Sequence, residues 1–252
     1  MTTAIYLKEA KYEFLKRLRV KVFSLSTLGF PLMFYVLFGL LLPTNTAARS
    51  QASTYLLATY GTFGVVGVCL FGFGVSLAIE RELGWLELKQ ATPMPPSAYF
   101  VAKMASCVVF SFIVVVLMLG LGLGFGHVQL PIVDILRLVA ILVAGAIPFG
   151  ALGLALGYVA NANSAPSFLN MIYLPMAFCS GLWMPLPFLP KVVQQIAPFL
   201  PPYHLSRLAL GVVGADQSNA YWGHWEALLA YTLVFLGFAR LAQGRDKSRT
   251  TE

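Results

Sequence analysis

Long blocks of apolar residues, separated by short polar or proline-rich stretches, run along the whole chain. Each block is close to the ~20 residues that a helix needs to cross the hydrocarbon core of a bilayer. The pattern predicts an all-α integral membrane protein with six transmembrane helices. The predicted spans are residues 22–42, 55–78, 101–125, 136–159, 166–184 and 222–242.

Two segments outside the predicted spans have patterns of their own. Residues 5–20 place apolar side chains on one helical face and charged ones on the other, which predicts an amphipathic helix lying at the membrane interface. An ordinary solvated helix is the alternative. Residues 185–221 contain six prolines among apolar residues. This segment is too broken for a span and too apolar for a free loop, so a short re-entrant helical hairpin, forming a cap at the outer face, is predicted before the last span.

The composition supports a membrane protein and gives no sign of a nucleic-acid partner. The chain is 58% hydrophobic and 11% charged, whereas soluble domains carry about 25% charged residues. The net charge is +7, but the basic residues flank the apolar blocks and do not form one patch that could follow a phosphate backbone.

The distribution of lysine and arginine predicts the orientation. The amino terminus, the loop at residues 79–100 with Lys103 at its edge, and the carboxyl-terminal tail together carry 13 basic residues, against 4 on the other side. By the positive-inside rule, both termini and this loop are expected in the cytoplasm, with the chain in the cytoplasmic (inner) membrane. No cleavable signal peptide is evident, so the first span is expected to remain as an anchor.

The sequence offers no catalytic or metal-binding constellation. His127, His204 and His224 all fall near the predicted outer surface, and neither HExxH nor GxSxG occurs. Span interiors with almost no ionisable residues argue against an intramembrane hydrolase and against an ion-coupled carrier. The chain also lacks GxxxxGK[ST], so it is not expected to bind ATP through a P-loop of its own, and no cofactor is predicted within it.

The loop after the second predicted span has an unusual pattern. Its residues 80–93 run Glu-Arg-Glu-Leu-Gly-Trp-Leu-Glu-Leu-Lys-Gln-Ala-Thr-Pro, and the apolar ones do not gather on one helical face. A helix held between the bilayer and a second protein has this pattern. A solvated connector is the alternative interpretation.

This loop resembles the cytosolic motif of the ABC-2 family of transporter permeases, E-R-E-x-G-x-x-E followed by Thr-Pro or Ser-Pro. The matching residues are Glu80, Arg81, Glu82, Gly84, Glu87, Thr92 and Pro93. Trp85 stands where many relatives carry a small polar residue. A later stretch is similar to the family pattern S-G-x-x-x-P-x-x-x-x-P … P-x-x-P-x-Y. Its matching residues are Ser180, Gly181, Pro185, Pro190, Pro198, Pro201, Pro202 and Tyr203.

The resemblance covers nearly the whole chain and implies a single transmembrane domain over residues 1–252. It implies the permease subunit of an ATP-binding-cassette exporter, which is not itself an enzyme. Two permease chains would pair, as a homodimer or a related heterodimer, with two copies of a separate P-loop ATPase that binds ATP and Mg. The matching residues of the 79–100 loop would couple the two subunits. Spans two and five would line the route of an amphiphilic drug, lipid or glycan-linked cargo.

The candidate outer gate lies at the start of the proline-rich segment. Its residues are Ser180, Gly181, Trp183, Met184, Pro185, Phe188, Pro190 and Phe199. The large apolar members are predicted to form a plug, with plain interfacial anchoring as the alternative. Two other functions stay open at this point: a non-transporting membrane assembly factor and an intramembrane enzyme.

Overall fold

The computed structural model describes residues 2–90, 95–216 and 220–249, and every regular element in these ranges is helical. Helices satisfy their backbone hydrogen bonds internally, which a bilayer requires. The α-helices are α1 (Thr2–Arg19), α2 (Lys21–Tyr35), α3 (Thr46–Cys69), α4 (Ser76–Glu82), α5 (Trp85–Gln90), α6 (Pro96–Gly124), α7 (Ile132–Ala144), α8 (Ala146–Val159), α9 (Ala165–Cys179), α10 (Lys191–Ile196), α11 (Pro201–Val212) and α12 (Tyr221–Arg249). Two π-helical segments, Val36–Leu41 and Leu70–Val75, continue α2 and α3.

The central element is one continuous helix formed by α3, the π-helical segment after it, and α4. It runs over Thr46–Glu82, and 78% of its apolar stretch is buried. Asn45 caps its start, because its Oδ1 accepts a hydrogen bond from the Ala48 amide at 2.8 Å. At about 1.5 Å per residue the helix is about 55 Å long, well beyond the ~30 Å of a hydrocarbon core. One end of it therefore projects out of the apolar layer, and the charged residues 80–82 lie at that end.

Three further helices of the described chain are long and apolar enough to cross a membrane. They are Ser97–Gly124, Ile132–Val159 and Tyr221–Gly244. Two shorter apolar helices, Thr27–Leu41 and Ala165–Cys179, overlap the predicted first and fifth spans. The chain is thus a multi-pass membrane protein that provides four of the six predicted spans at full length.

Glycines allow α8 to cross the central helix at backbone contact. A Cβ atom on Gly157 would lie 2.8 Å from the Gly74 carbonyl oxygen, and one on Gly153 would lie 2.7 Å from the Cys69 carbonyl oxygen. The four-residue spacing of Gly153 and Gly157 is the small-xxx-small arrangement typical of membrane helix pairs. On its other side α8 packs against α12, which lies at the periphery with 11% of its apolar stretch buried.

The proline-rich segment is helical along most of its described length. A 3₁₀ turn at Leu186–Phe188, the short helix α10, a second 3₁₀ turn at Ala197–Phe199 and then α11 follow one another. The amphipathic α11 packs against α3, α7 and α12. Because α6 runs from the charged end of the central helix to the opposite end, where α7 begins, this segment and the start of α12 lie at the end away from residues 80–82.

Candidate functional site

Charged side chains from α1, α4, α5 and α6 meet in the interior where the central helix leaves the apolar layer. Lys103 of α6 is fully buried, and its Nζ lies 3.0 Å from Glu80 Oε1 and 3.4 Å from Glu13 Oε2. The same Nζ donates a hydrogen bond to Ser76 Oγ at 2.8 Å. Two carboxylates, themselves 4% exposed, thereby compensate an ammonium that has lost its contact with water.

Two further lysines and a glutamate complete this ion cluster. Lys16 forms an ion pair with Glu80, and Lys89 pairs with Glu9 and, at 3.3 Å, with Glu13. We define the ion cluster as Glu9, Glu13, Lys16, Glu80, Lys89 and Lys103. Its three carboxylates balance its three ammonium groups, so the cluster is electrically neutral although it contains six ionised groups.

Lys89 remains charged within this cluster. Burial disfavours its charged form, but the hydrogen bond to Glu9 and the charges of Glu13 and Glu9 outweigh burial, and the pKa of Lys89 is raised above its ordinary value. The ammonium of α5 is thus held to the two carboxylates of α1.

Tyr99 supports the cluster from one side. Its hydroxyl donates a hydrogen bond to Glu80 Oε2 at 2.6 Å. Its ring lies beneath two lysines, with the Nζ of Lys89 4.7 Å and that of Lys103 5.0 Å from the ring centroid. The negative face of an aromatic ring attracts both cations, so one residue stabilises charges of either sign.

Arg17 ties α1 to α6 next to the cluster. This side chain is 5% exposed and donates to the Lys103 carbonyl at 3.4 Å and to Cys107 Sγ at 3.3 Å. Together with the Glu13–Lys103 pair, these contacts fix the register between the first helix and the start of α6. Buried ion pairs contribute little net stability because desolvation offsets their attraction, whereas the loss of one partner leaves an uncompensated charge. The cluster therefore mainly fixes how the helices fit together.

The Glu-Arg-Glu triplet of the recognised motif divides between two sides of the central helix. Glu80 points into the ion cluster, whereas Arg81 donates to the carbonyls of Tyr158 and, at 2.9 Å, Ala160 at the end of α8. Glu82 Oε2 accepts the amide hydrogen of Ala162 at 2.6 Å. The triplet joins the central helix to α1 and α6 on one side and to the end of α8 on the other.

Gly84 ends α4 in the left-handed region. Its φ is 72°, and its amide donates to the Arg81 carbonyl at 3.1 Å before α5 begins at Trp85. This conformation explains the glycine, since other residues adopt it at a cost. Beyond the turn, Leu86 is buried while Leu83 and Leu88 are 62% and 69% exposed. The short helix α5 thus presents apolar side chains outward at the charged end of the molecule.

Three motif residues lie partly or wholly outside the described structure. The backbone of Glu87 belongs to α5, but its side chain is outside the described part. Thr92 and Pro93 lie outside the described residues. Their predicted part in coupling stays a prediction.

At the opposite end, Ser180 and Gly181 terminate α9. Gly181 has a φ of 73°, its amide donates to the Phe178 carbonyl at 3.0 Å, and the next amide, of Leu182, donates to the Ala177 carbonyl at 3.1 Å. This pair of bonds is the Schellman arrangement, which favours glycine at the left-handed position. Ser180 is buried. The motif therefore turns the chain sharply out of α9.

Trp183 packs inside the bundle after this turn. Its ring centroid lies 6.0 Å from that of Phe63, 6.1 Å from that of Phe34 and 6.1 Å from that of Phe178. Tyr60 donates a hydrogen bond to the Trp183 carbonyl at 3.4 Å. The side chain thus joins α2, α3 and α9 in one aromatic cluster.

The remaining gate residues begin turns or lie exposed. Pro185 precedes the first 3₁₀ turn and Pro190 precedes α10. Met184 is 40% exposed, and Phe188 and Phe199 are 77% and 76% exposed. A single chain therefore packs the half-buried Trp183 into the aromatic cluster but does not gather Phe188 and Phe199 into an apolar plug with it.

The sequence patterns did not single out most of the ion cluster. The apolar and polar pattern of the first helix does not distinguish Glu13, and Lys103, at the edge of the 79–100 loop in the sequence, lies inside α6 in the structure. Two features of the sequence could have indicated them. Lys103 is an ionisable residue within an apolar helix, which generally marks a functional position, and Glu13 is an acidic residue in a basic helix.

Comparison with known proteins agrees with this arrangement. The family model described as ABC-2 type transporter matches residues 9–213, which include the ion cluster and the 79–90 motif. The chain is 27% identical over 241 residues to the Bacillus subtilis (strain 168) protein named "Putative transport permease YvfS", with 96% of this chain and 98% of that protein covered. The family match extends over most of the chain and over both recognised motifs, and the chain belongs to the ABC-2 type transporter family.

Proposed function

We propose that this chain is the transmembrane permease subunit of an ATP-binding-cassette exporter, driven by a separate P-loop ATPase. The observation that carries the proposal is the ion cluster, which joins the family motif to α1 and α6 through the contacts of Lys103 with Glu80 and Glu13. Such a loop can transmit a displacement, whereas a flexible connector would absorb it. Membership of the family and the permease name of the relative support the same function.

The exposed side of α5 is the proposed contact with the ATPase. Trp85 and Leu88 are exposed there, Leu83 is exposed just before the turn, and Lys16 Nζ lies 4.9 Å from the Trp85 ring centroid. A displacement of α5 would pass through Lys89 to α1 and through Gly84 to the central helix. Coupling requires that the ATP-bound and ATP-free states of the partner favour different conformations of the permease. ATP and Mg would be bound by the partner, since this chain lacks GxxxxGK[ST].

Six spans and a paired permease complete the proposal. The shorter helices Thr27–Leu41 and Ala165–Cys179 would serve as spans one and five. Both expose large apolar side chains, with Phe30 at 55% and Met33 at 53% in the first, and Met171 at 70% in the second. A second permease chain packed against these faces would bury the exposed apolar side chains. It would also extend the apolar region around the two short helices.

The cargo is proposed to be amphiphilic. The aromatic cluster between α2, α3 and α9 holds Tyr60, Phe63, Tyr173 and Trp183, and the rings of Phe63 and Tyr173 stack at 4.8 Å. Aromatic rings with few charges bind apolar portions of a molecule and offer little to a free ion.

The proposal is tested by searching the genome beside this chain for a gene that encodes a P-loop ATPase, and by co-expressing that ATPase with the chain. We expect the purified chain alone to release no phosphate from ATP, and the co-purified complex to do so. Leu88→Glu places a charge on the exposed side of α5. It should lower the amount of ATPase that co-purifies with the chain by at least about tenfold. Lys8→Glu on the exposed face of α1 is the matched control and should leave recovery unchanged.

The other outcomes distinguish the alternative functions. Phosphate release by the chain alone would contradict a permease without an ATPase site. Stable association with the ATPase but no export of any amphiphile by the complex would favour the assembly factor. Equal recovery of the ATPase with Leu88→Glu and with the control would remove α5 from the interface.

A further inference from the structure

A half-open groove lies between α7, α11 and α12, at the end of the bundle opposite the ion cluster. Its volume is about 820 Å³, within the roughly 300–1,000 Å³ typical of small-molecule sites. The helix α11 packs against both α7 and α12 and holds them apart. The groove is therefore bounded by three helices, α7, α11 and α12.

The lining of the groove changes from charged to apolar along α7. Asp134, Arg137, Ile141 and Ala144 all line it, and their spacing of three, four and three residues places them on one helical face. The charged pair lies near the start of α7 and the apolar pair lies deeper in the bundle. This order matches a molecule with a polar head and a hydrocarbon tail.

The charged pair at the mouth is free to exchange partners. Arg137 Nη1 lies 3.3 Å from Asp134 Oδ1, and the arginine side chain is 67% exposed. An exposed ion pair of this kind contributes little stability, so a ligand that offers both charges can replace it at small cost. The other acid of the lining, Asp216, is already paired with Arg207 at 3.5 Å.

Two aromatic residues and a glycine complete the site. Tyr221 and Trp225 line the α12 side one helical turn apart, and such amphipathic rings favour the level of lipid headgroups. Gly211 of α11 lines the third side, and a Cβ atom added there would meet no atom within 4 Å. The space beside Gly211 is therefore open.

We propose that this groove binds one zwitterionic phospholipid of the phosphatidylethanolamine class. The phosphate would accept hydrogen bonds from Arg137, the ammonium would donate to Asp134, and an acyl chain would follow Ile141 and Ala144. The charged residues of the lining, Asp134, Arg137 and Asp216, together with Arg207, which pairs with Asp216, sum to zero charge, which suits a ligand of zero net charge. Choline headgroups lack the N–H donor for Asp134, and phosphatidylglycerol lacks the cation. This site lies at the opposite end from the proposed ATPase contact and does not depend on the transport proposal.

The test uses the full-length chain, purified in detergent and depleted of lipid. Phosphatidylethanolamine, phosphatidylcholine and phosphatidylglycerol with the same acyl chains are titrated separately, and the shift of the thermal unfolding midpoint is followed. We expect phosphatidylethanolamine to give the largest shift at the lowest concentration. Arg137→Gln and Asp134→Asn should each weaken its apparent affinity by about tenfold, as expected for the loss of a charge-assisted hydrogen bond.

Filling the groove provides a second test that does not alter charge. Gly211→Leu places a side chain in the open space and should abolish the shift, whereas Gly120→Leu, also in open space on α6, should preserve it. Lys191→Gln, an exposed cation on α10, controls for charge loss. Equal shifts with all three lipids, a preference for phosphatidylglycerol, or wild-type binding by Arg137→Gln would each overturn the proposal. A changed oligomeric state of Gly211→Leu would instead assign the groove to a protein interface and overturn it as well.

Discussion

At the scale of single residues, Lys103 is the side chain whose buried charge depends most on neighbouring residues. It is 0% exposed, and its Nζ is surrounded by Glu13, Glu80 and Ser76. Loss of this ammonium leaves two buried carboxylates close together, Glu80 with Lys16 and Tyr99 as partners and Glu13 with Lys89 alone. The cluster is therefore more sensitive to the loss of one member than to the loss of a matched pair.

We expect Lys103→Met to lower the free energy of unfolding by about 3 kcal/mol, the lower end of the range for breaking a buried ion pair. The double variant Lys103→Met with Glu13→Gln should recover a large part of this loss, because it also removes the carboxylate left without Lys103. Denaturant titration in detergent measures both, and Lys8→Met on the exposed face of α1 is the control. Additive effects of the two substitutions would mean that Glu13 and Lys103 do not act as a pair.

The identity of the motif residues was predictable at this scale, but their contacts were not. Glu80, Arg81 and Glu82 were recognised from the pattern and assigned to an exposed coupling loop. The structure places Glu80 in the interior and turns Arg81 and Glu82 toward the end of α8. Their partners lie between 19 and 80 positions away in sequence, and local patterns carry no information on such distant contacts.

At the scale of elements, helix crossings depend on the space that glycines leave. Gly157 of α8 faces the backbone of the central helix, and a Cβ atom there would lie 2.8 Å from the Gly74 carbonyl oxygen and 3.0 Å from Leu77 Cδ2. Since the nearest atom belongs to a helix backbone, it cannot rotate away. The two helices would have to separate.

We therefore expect Gly157→Ala to lower the free energy of unfolding by about 1–3 kcal/mol through overpacking. Gly237→Ala on the peripheral helix α12 is the control, because a Cβ atom there meets no atom within 4 Å. Thermal unfolding of both variants in the same detergent measures the difference. Equal stability of the two variants would show that α8 and the central helix adjust freely at this crossing.

A second contact between elements joins α11 to α12 through two histidines. The Nδ1 atoms of His204 and His224 are 2.9 Å apart, and His204 Nε2 lies 2.9 Å from the Pro198 carbonyl oxygen. A carbonyl only accepts, so His204 carries its hydrogen on Nε2 and, when neutral, accepts from His224 at Nδ1. A proton added to His204 Nδ1 would break this bond. The rings of Tyr203 and Tyr231 and the Arg207–Asp216 ion pair surround the histidines.

We expect this contact to weaken in acid. Burial lowers the pKa of His204, although its bond to Pro198 opposes the shift. Because the folded pKa lies below the unfolded value of about 6.5, the stabilisation is present above that pH and is lost as the pH falls through the folded pKa. The protection factors of the α11 amides, which correct for the slower intrinsic hydrogen exchange in acid, should therefore fall between about pH 7 and about pH 5.

His204→Gln distinguishes this histidine from its neighbours. Glutamine keeps an amide donor for the Pro198 carbonyl but does not titrate, so the acid-dependent fall in the protection factors of α11 should be lost. The Arg207–Asp216 ion pair remains in the variant and serves as an internal control. The same acid response in His204→Gln would attribute the pH dependence to another group.

Element types were largely predictable, while element lengths were not. Apolar blocks of about 20 residues indicated helices at every predicted span. The structure differs from the prediction where an apolar block contains a residue that ends a helix. The block at 166–184 is helical only as far as Cys179, because Gly181 turns the chain. In the other direction, the block at 55–78 forms part of a much longer helix that begins at Thr46, since polar residues also continue a helix once it is capped.

At the scale of the whole molecule, the two ends differ in how they hold charge. One end carries the ion cluster and most of the lysines and arginines, and the other carries the groove and the proline-rich segment. The carboxylates of the cluster neutralise three of these lysines. Orientation nevertheless follows the number of lysines and arginines near the spans, and acidic residues contribute little to it. The ion cluster therefore does not change the orientation that the lysines and arginines predict.

We expect the end with the ion cluster to face the cytoplasm. Ser97 and Lys191 are exposed at opposite ends of the molecule and suit cysteine labelling, in a background where the partly exposed Cys179 is replaced by alanine; Cys69 and Cys107 are buried. A membrane-impermeant maleimide added to intact cells should label Lys191→Cys, and should label Ser97→Cys only after the membrane is permeabilised. Labelling of Ser97→Cys in intact cells, with protection of Lys191→Cys, would reverse the orientation and place the proposed ATPase contact on the wrong side of the membrane.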